Sequence, residues 1–328
     1  MLWQKLHDVK ALNMRLSWLK PSMSRKVILV TGGAGFIGSN LCQHFLDTTD
    51  HQVICVDNLF SGSHMLTHPR YTLIQQDVCQ LSLDFIEHID EIYHLACPAS
   101  PKYYQQNPMK TIKTCVFGTY RILKLCKRFR CKLLFTSTSE VYGDAEITPQ
   151  HEDYWGNVNP IGIRACYDES KRLCETMITE YRRKHNLDLK IVRIFNTYGP
   201  QMNPLDGRII PAILSAVRTN SAIEVYGNGL QTRSLCFIDD LLRGLCLMMA
   251  SAESGPINLG NPHEECTINE VISLAEDLFQ HKIERINRPL PQNDPRQRRP
   301  DITKAQRLLN WSPQISLKDG LLKLRACA

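Results

Sequence analysis

Apolar and polar positions along this chain switch repeatedly between two periods. The run Lys26-Val-Ile-Leu-Val-Thr31 is short, β-branched and bounded by a glycine cluster, after which Ile37, Leu41 and Phe45 recur at helical spacing. The alternation continues through strand-like runs at 53–57, 71–76, 91–95 and 132–137, with a helical stretch at 108–128 before the last of them. A second helix at 167–185 leads into the apolar run 189–194, which reads as another buried strand. Strands alternating with helices predict an α/β chain built on a parallel, doubly wound sheet. Beyond Pro200 the pattern becomes irregular, with Gly, Pro and Asn punctuating 199–229 and a polar, proline-rich stretch at 287–300. Residues 237–261 again read as helix plus strand. The expected division is a sheet domain over 26–200 and 233–262, with a smaller interleaved C-terminal domain over 201–232 and 263–328 that covers a substrate. Residues 1–25 form an N-terminal extension.

Composition narrows the class. With 43% apolar residues in 328, the chain can bury one large or two modest cores. The formal charge of +6 is dispersed among interleaved acidic residues, which gives little reason to expect a nucleic-acid partner. The thirteen cysteines are odd in number and include no Cys-x-x-Cys pair, so they read as reduced, mostly buried thiols of a cytoplasmic protein. No apolar run approaches the roughly 20 residues that span a bilayer, so no stable membrane insertion is expected. The first 25 residues set Trp3, Leu6, Val9, Leu12, Leu16 and Leu19 among Lys5, Lys10, Arg15 and Lys20. That basic amphipathic pattern fits an interfacial helix, a docked arm, or translation that starts at Met23.

Gly32, Gly35 and Gly38 follow the first strand at the spacing G-x-x-G-x-x-G and open a helix. Without side chains there, backbone can approach a pyrophosphate, and the helix start offers unpaired N–H groups and a favourable dipole. Asp57 ends the next strand about 20 residues on, where a carboxylate can accept hydrogen bonds from an adenosine ribose and would repel a 2′-phosphate. The sheet is therefore expected to be of the Rossmann type, and the cofactor NAD rather than NADP. Tyr167 and Lys171 lie one helical turn apart, so both project from one face, and the lysine charge can favour a phenolate that accepts a proton from an alcohol. Ser137-Thr-Ser-Glu140 closes an apolar strand with hydroxyls and a carboxylate at the end where doubly wound sheets bind ligands. His64 and His68 share one possible helical face, but no further ligands lie near them, and no metal is expected.

From Lys26 to Leu324 the chain resembles the extended short-chain dehydrogenase/reductases. Within them, His94-Leu-Ala-Cys-Pro-Ala-Ser-Pro101, Ser137-Thr-Ser-Glu-Val-Tyr-Gly-Asp144, the string from Asn159 to Lys171, and Arg193-Ile-Phe-Asn-Thr-Tyr-Gly-Pro200 resemble the UDP-glucuronate decarboxylases. The resemblance implies that Phe36, Ile37, Asn58, Asp77, Val78, Leu95, Ala96 and Thr114 join the glycines, Asp57, Tyr167 and Lys171 around NAD. It also implies that Tyr104, Asn196, Arg208, Tyr226, Gln231, Arg233 and Arg298 hold the nucleotide sugar. The implied catalytic set is Thr138, Ser139, Glu140, Tyr167 and Lys171. Tyr167 would deprotonate the 4-hydroxyl of UDP-glucuronate, Thr138 and Ser139 would bond the 4-oxygen or the carboxylate, Lys171 would add charge, and Glu140 would guide ring distortion or protonation. The rival readings are a nucleotide-hexose 4,6-dehydratase or 4-epimerase, and a catalytically silent NAD-binding regulator. A homodimer through 108–128 and 167–185 is implied as well. Departures from these relatives are Ser170 for glycine, Cys97 for serine, Cys115 and Arg121 for asparagine, and a shortened loop at 61–70, which bear on the adenosine side and the subunit contact.

Overall fold

The computed structural model describes residues 25–82, 84, 86–291 and 295–325, so the amphipathic stretch 1–24 and Asp294 lie outside the described residues. Chain order begins β1 (Val27–Thr31), α1 (Phe36–Thr48), β2 (Gln52–Asp57), β3 (Tyr71–Gln75), β4 (Glu91–His94), α2 (Pro101–Gln106), α3 (Pro108–Phe129) and β5 (Lys132–Thr138). It continues with α4 (Ala165–His185), β6 (Leu189–Ile194), β7 (Thr197–Tyr198), α5 (Ile209–Thr219), β8 (Ile223–Tyr226), β9 (Thr232–Ser234) and β10 (Cys236–Phe237). The remaining elements are α6 (Ile238–Ala250), β11 (Ile257–Leu259), β12 (Glu265–Thr267), α7 (Ile268–Phe279), β13 (Arg285–Arg288), α8 (Thr303–Leu309) and α9 (Leu317–Arg325).

Seven strands form one sheet in the order β11-β6-β5-β4-β1-β2-β3, and every pairing in it is parallel. The order reverses between β1 and β4, which creates the crevice where ligands of such sheets bind. Side-chain alternation divides the interior into two layers. Ile28, Val30 and Leu134 enter one cluster with α1, α6 and the C-terminal helices, while Leu29, Leu133 and Phe135 enter the other with α3 and α4. Burial on both faces explains why these strands read as continuous apolar runs. Trp311 is fully buried, and its indole nitrogen donates to the Asp240 carbonyl at 2.9 Å, tying the segment after α8 to α6.

Beyond the sheet, β8 pairs with β13 in parallel and β9 with β12 antiparallel. Gln150 accepts from Asp301 N–H and donates its own N–H to the Arg299 carbonyl, each at 2.8 Å, which brings the segment around Arg298 to the end of the sheet. Residues 61–70 contain no helix, so the helical face imagined for His64 and His68 does not form. This segment folds over the glycine turn: His64 N–H donates to the Ala34 carbonyl at 3.1 Å, and His68 Nδ1 accepts from Arg70 N–H. Among the described residues, no group of three or more His, Cys, Asp or Glu is placed to hold a metal ion, and no helix is long and apolar enough to cross a membrane.

Candidate active site

The C-terminal ends of the sheet strands open into a cleft of about 920 Å³. At its floor β1 leads into Gly32, whose φ of +72° favours glycine. A Cβ on Gly38 would meet the Gly32 carbonyl oxygen at 2.1 Å, so only glycine lets α1 start this close to the turn. Gly35 caps α1 without a side-chain bond, leaving the helix's first amides for a ligand. Asp57 accepts from Ala34 N–H at 3.1 Å and Leu59 N–H at 2.8 Å, which fixes its carboxylate at the cleft wall. Burial raises the Asp57 carboxyl above its ordinary value.

β5 and α4 supply the groups expected to react. Thr138 ends β5 and caps the following turn by accepting from Glu140 N–H at 3.2 Å. Lys171 donates to the Thr136 carbonyl at 2.8 Å. Tyr167 is stacked on Tyr104, with ring centroids 5.1 Å apart and planes 6° from parallel. Burial pushes the Tyr167 phenol well above its ordinary value, Cys97 adding to the rise, while a hydrogen bond with Thr138 works the other way. The lysine one turn on does not offset that burial.

Glu140 is buried, and one of its oxygens accepts from both Arg164 and Arg298. Burial alone would raise this carboxyl, but the charges of Arg298 and Arg164 outweigh it and hold Glu140 below its ordinary value. Asp168 lies on the other side of Arg164, 4.0 Å from its Nε. Its Oδ1 is buried with no hydrogen-bond partner among the described residues. Burial and the nearby Glu140 charge push the Asp168 carboxyl up to about 7. One carboxylate of the cluster is thus firmly ionised and the other is poised near neutrality.

Of the residues expected from the sequence to bind cofactor or sugar or to act in catalysis, all but Asp77 line this one cleft: the glycines, Phe36, Ile37, Asp57, Asn58, Val78, Leu95, Ala96 and Thr114 toward the turn, and Tyr104, Asn196, Arg208, Tyr226, Gln231, Arg233 and Arg298 beyond the expected catalytic set. Asp77 stands behind the wall, accepting from Cys79 N–H at 2.9 Å and Asn58 Nδ2 at 3.0 Å. Asn196 Nδ2, the Tyr104 hydroxyl and Arg298 Nε are buried without hydrogen-bond partners among the described residues. Buried polar groups left this way cost stability, so they fit a ligand rich in oxygens. With the glycine turn and Asp57, they suit a dinucleotide beside a diphosphate sugar. Arg164 and Asp168 were missed in the sequence. Their signal was legible: residues 164, 167, 168 and 171 repeat at the spacing of one helical face.

The profile of the NAD dependent epimerase/dehydratase family matches residues 28–260. The chain belongs to that family. Its relatives include UDP-glucuronic acid decarboxylase 5 of Arabidopsis thaliana, 48% identical over 299 residues that cover 90% of this chain and 86% of the relative. UDP-glucuronic acid decarboxylase 1 of Danio rerio is 47% identical, over 91% of this chain and 72% of that protein. Among solved structures of the family, the UDP-glucuronic acid 4-epimerase of Bacillus cereus, in complex with UDP-glucuronic acid and NAD, superposes with a TM-score of 0.83 at 27% identity, covering 92% of this chain and all of that one. The UDP-glucose 4-epimerase of Thermotoga maritima gives 0.84 at 25% identity, over 92% and 99% of the two chains. The cofactor of the family is NAD.

Proposed function

We infer that the chain is an NAD-dependent decarboxylase that converts UDP-glucuronate to UDP-xylose and carbon dioxide. The observation that carries this reading is the buried Arg164–Glu140–Arg298 cluster beside Tyr167, in a chain 48% identical to UDP-glucuronic acid decarboxylases. Gly32, Gly35 and Gly38 with the first amides of α1 would hold the NAD pyrophosphate and Asp57 its adenosine ribose; bound NAD supplies reversible hydride acceptance at carbon 4 of the sugar. Tyr167 takes the proton of the 4-hydroxyl and returns it at the end of the cycle, with Lys171 placing positive charge beside the phenol and Thr138 and Ser139 orienting the oxygen. A ketone at carbon 4 turns the carbon 6 carboxylate into that of a β-keto acid, which loses carbon dioxide as its electrons move into an enolate. Arg298 and Arg164 give that developing charge a cationic wall. Glu140, held ionised, orients the two guanidinium groups, and the proton that carbon 5 needs comes from water. We also assign this protein to the cytoplasm, a reading supported by the twelve described cysteines, all free. We propose a homodimer through α3 and α4, which leave Phe117, Tyr120 and Leu173 exposed.

The test is to run the reaction with UDP-glucuronate in heavy water. Carbon dioxide should be released, and UDP-xylose should carry deuterium at carbon 5 and none at carbon 4. A product that keeps its carboxylate, as a 4-epimer would, overturns the reading. So does deuterium at carbon 4.

A further inference from the structure

We propose that Cys97 and Cys115 form an oxidation site in the wall of the cleft, a dithiol that a peroxide converts reversibly into a disulfide, slowing the enzyme. Cys97 lies on the loop between β4 and α2, and Cys115 lies on α3. Their sulfurs are 2.8 Å apart. Cys97 is partly exposed and lines the cleft, whereas Cys115 is buried behind it, so a small oxidant meets one sulfur with its partner already in contact. Three other thiol pairs lie within hydrogen-bonding reach, Cys42 with Cys55, Cys126 with Cys131, and Cys115 with Cys174. All six of these sulfurs are buried and none lines the cleft, so an oxidant that enters there meets Cys97 first.

The chemistry closes with hydrogen peroxide as the oxidant. The Cys97 thiolate attacks one peroxide oxygen; an S–O bond forms, the O–O bond breaks, and the departing hydroxide takes up the proton released from Cys97 to leave as water. The Cys115 sulfur then attacks the Cys97 sulfur; the S–S bond forms, the S–O bond breaks, and the second water leaves with the Cys115 proton. Two thiols lose two electrons and two protons, and the peroxide becomes two waters. An external dithiol reverses the change by two exchanges.

Closing the sulfurs to the roughly 2.05 Å of a disulfide requires a movement of under about 1 Å. The loop that must move is coupled to the reaction at both ends. Ala96, beside Cys97, donates its N–H to Thr31 Oγ1 at 3.3 Å, and a Cβ on Gly32 would meet Ala96 N at 2.9 Å, so the loop abuts the glycine turn. Its far end starts α2, which carries Tyr104 onto the Tyr167 ring. Displacements of about 1 Å near reacting groups cost up to about 100-fold in rate.

The proposal takes the cleft as catalytic, but its covalent part stands apart from the identity of the product. Holoenzyme is treated with hydrogen peroxide, its remaining thiols are alkylated, and peptides are mapped by mass while turnover is followed. We expect a peptide joining Cys97 to Cys115, a fall in turnover of at least about tenfold, and recovery of both with dithiothreitol. Cys115→Ser should keep the turnover of the reduced enzyme, form no joined peptide, and lose the recovery by dithiothreitol. The proposal is overturned by an alkylatable Cys97 after treatment, by a cross-link elsewhere, by a joined peptide with turnover unchanged, or by the same reversible inhibition in Cys115→Ser. A joined peptide in a chain that fails to decarboxylate UDP-glucuronate would sink the assigned reaction and leave the oxidation site standing.

Discussion

In the proposed reaction Tyr167 exchanges a proton at neutral pH, although burial holds its phenol well above the ordinary value. Lys171 alone does not offset that burial, so the proposed base needs further positive charge, which bound nicotinamide would supply in the loaded cleft. Tyr167→Phe keeps the ring stacked on Tyr104 and removes the oxygen; turnover should fall by about 100-fold or more with thermal stability retained, and steady-state assays beside a melting curve check this. Asp168 makes a different prediction. Its folded-state carboxyl titrates near 7, against an ordinary value of 3.8. The folded state therefore binds the proton more tightly, a stabilisation fully present below the ordinary value and lost as pH rises through 7. Asp168→Asn lacks that loss, so its advantage in urea unfolding over the unaltered chain should be larger at pH 8 than at pH 5. An advantage that shrinks with rising pH would contradict the assignment. At this scale Tyr167, Lys171 and Glu140 could be singled out in the sequence because their spacing or their place at a strand end carries chemistry. Arg164 gave the same helical spacing but was passed over, because an arginine at a helix start usually faces solvent, and only burial against Glu140 distinguishes it.

At the scale of elements, the turn between β1 and α1 depends on contact between backbone atoms. Gly38→Ala would force its Cβ against the Gly32 carbonyl, and the helix start would have to move away from the turn. NAD affinity measured by titration should fall at least about tenfold, a cost of about 1.4 kcal/mol. Unaltered affinity would mean that the turn does not hold the pyrophosphate. The strands and the long helices were readable because burial on both sheet faces writes apolar runs and because α3 and α4 carry helical periodicity over many turns. Their ends were less readable. α4 starts at Ala165, two residues before the expected start, since Arg164 caps it without any of the usual capping side chains. The stretch 61–70 illustrates the opposite error: a histidine spacing that suits a helix lies in an irregular segment packed over the glycine turn.

At the scale of the whole molecule, α3 and α4 leave apolar side chains uncovered, and a second copy is the partner we propose for them. Sedimentation at micromolar concentration should report a dimer, and Phe117→Glu should shift it toward monomer by placing a charge in the contact. A monomer in the unaltered chain would remove the proposal. Contacts between distant segments were the least legible part of the sequence. Arg298 reaches Glu140 across 158 positions, and only resemblance to known relatives pointed to it, because nothing local at residue 298 marks burial. That contact also sets an order of events during synthesis. A growing chain emerges from its N-terminus, so every strand of the sheet, through Leu259, is available before Arg298 has been made. Until then Glu140 lacks one of its two guanidinium partners. The nascent chain therefore holds every strand of its sheet before it holds the second arginine of the buried cluster, and a chain that stops early would lack both Arg298 and the buried Trp311 that anchors the C-terminal segment to α6.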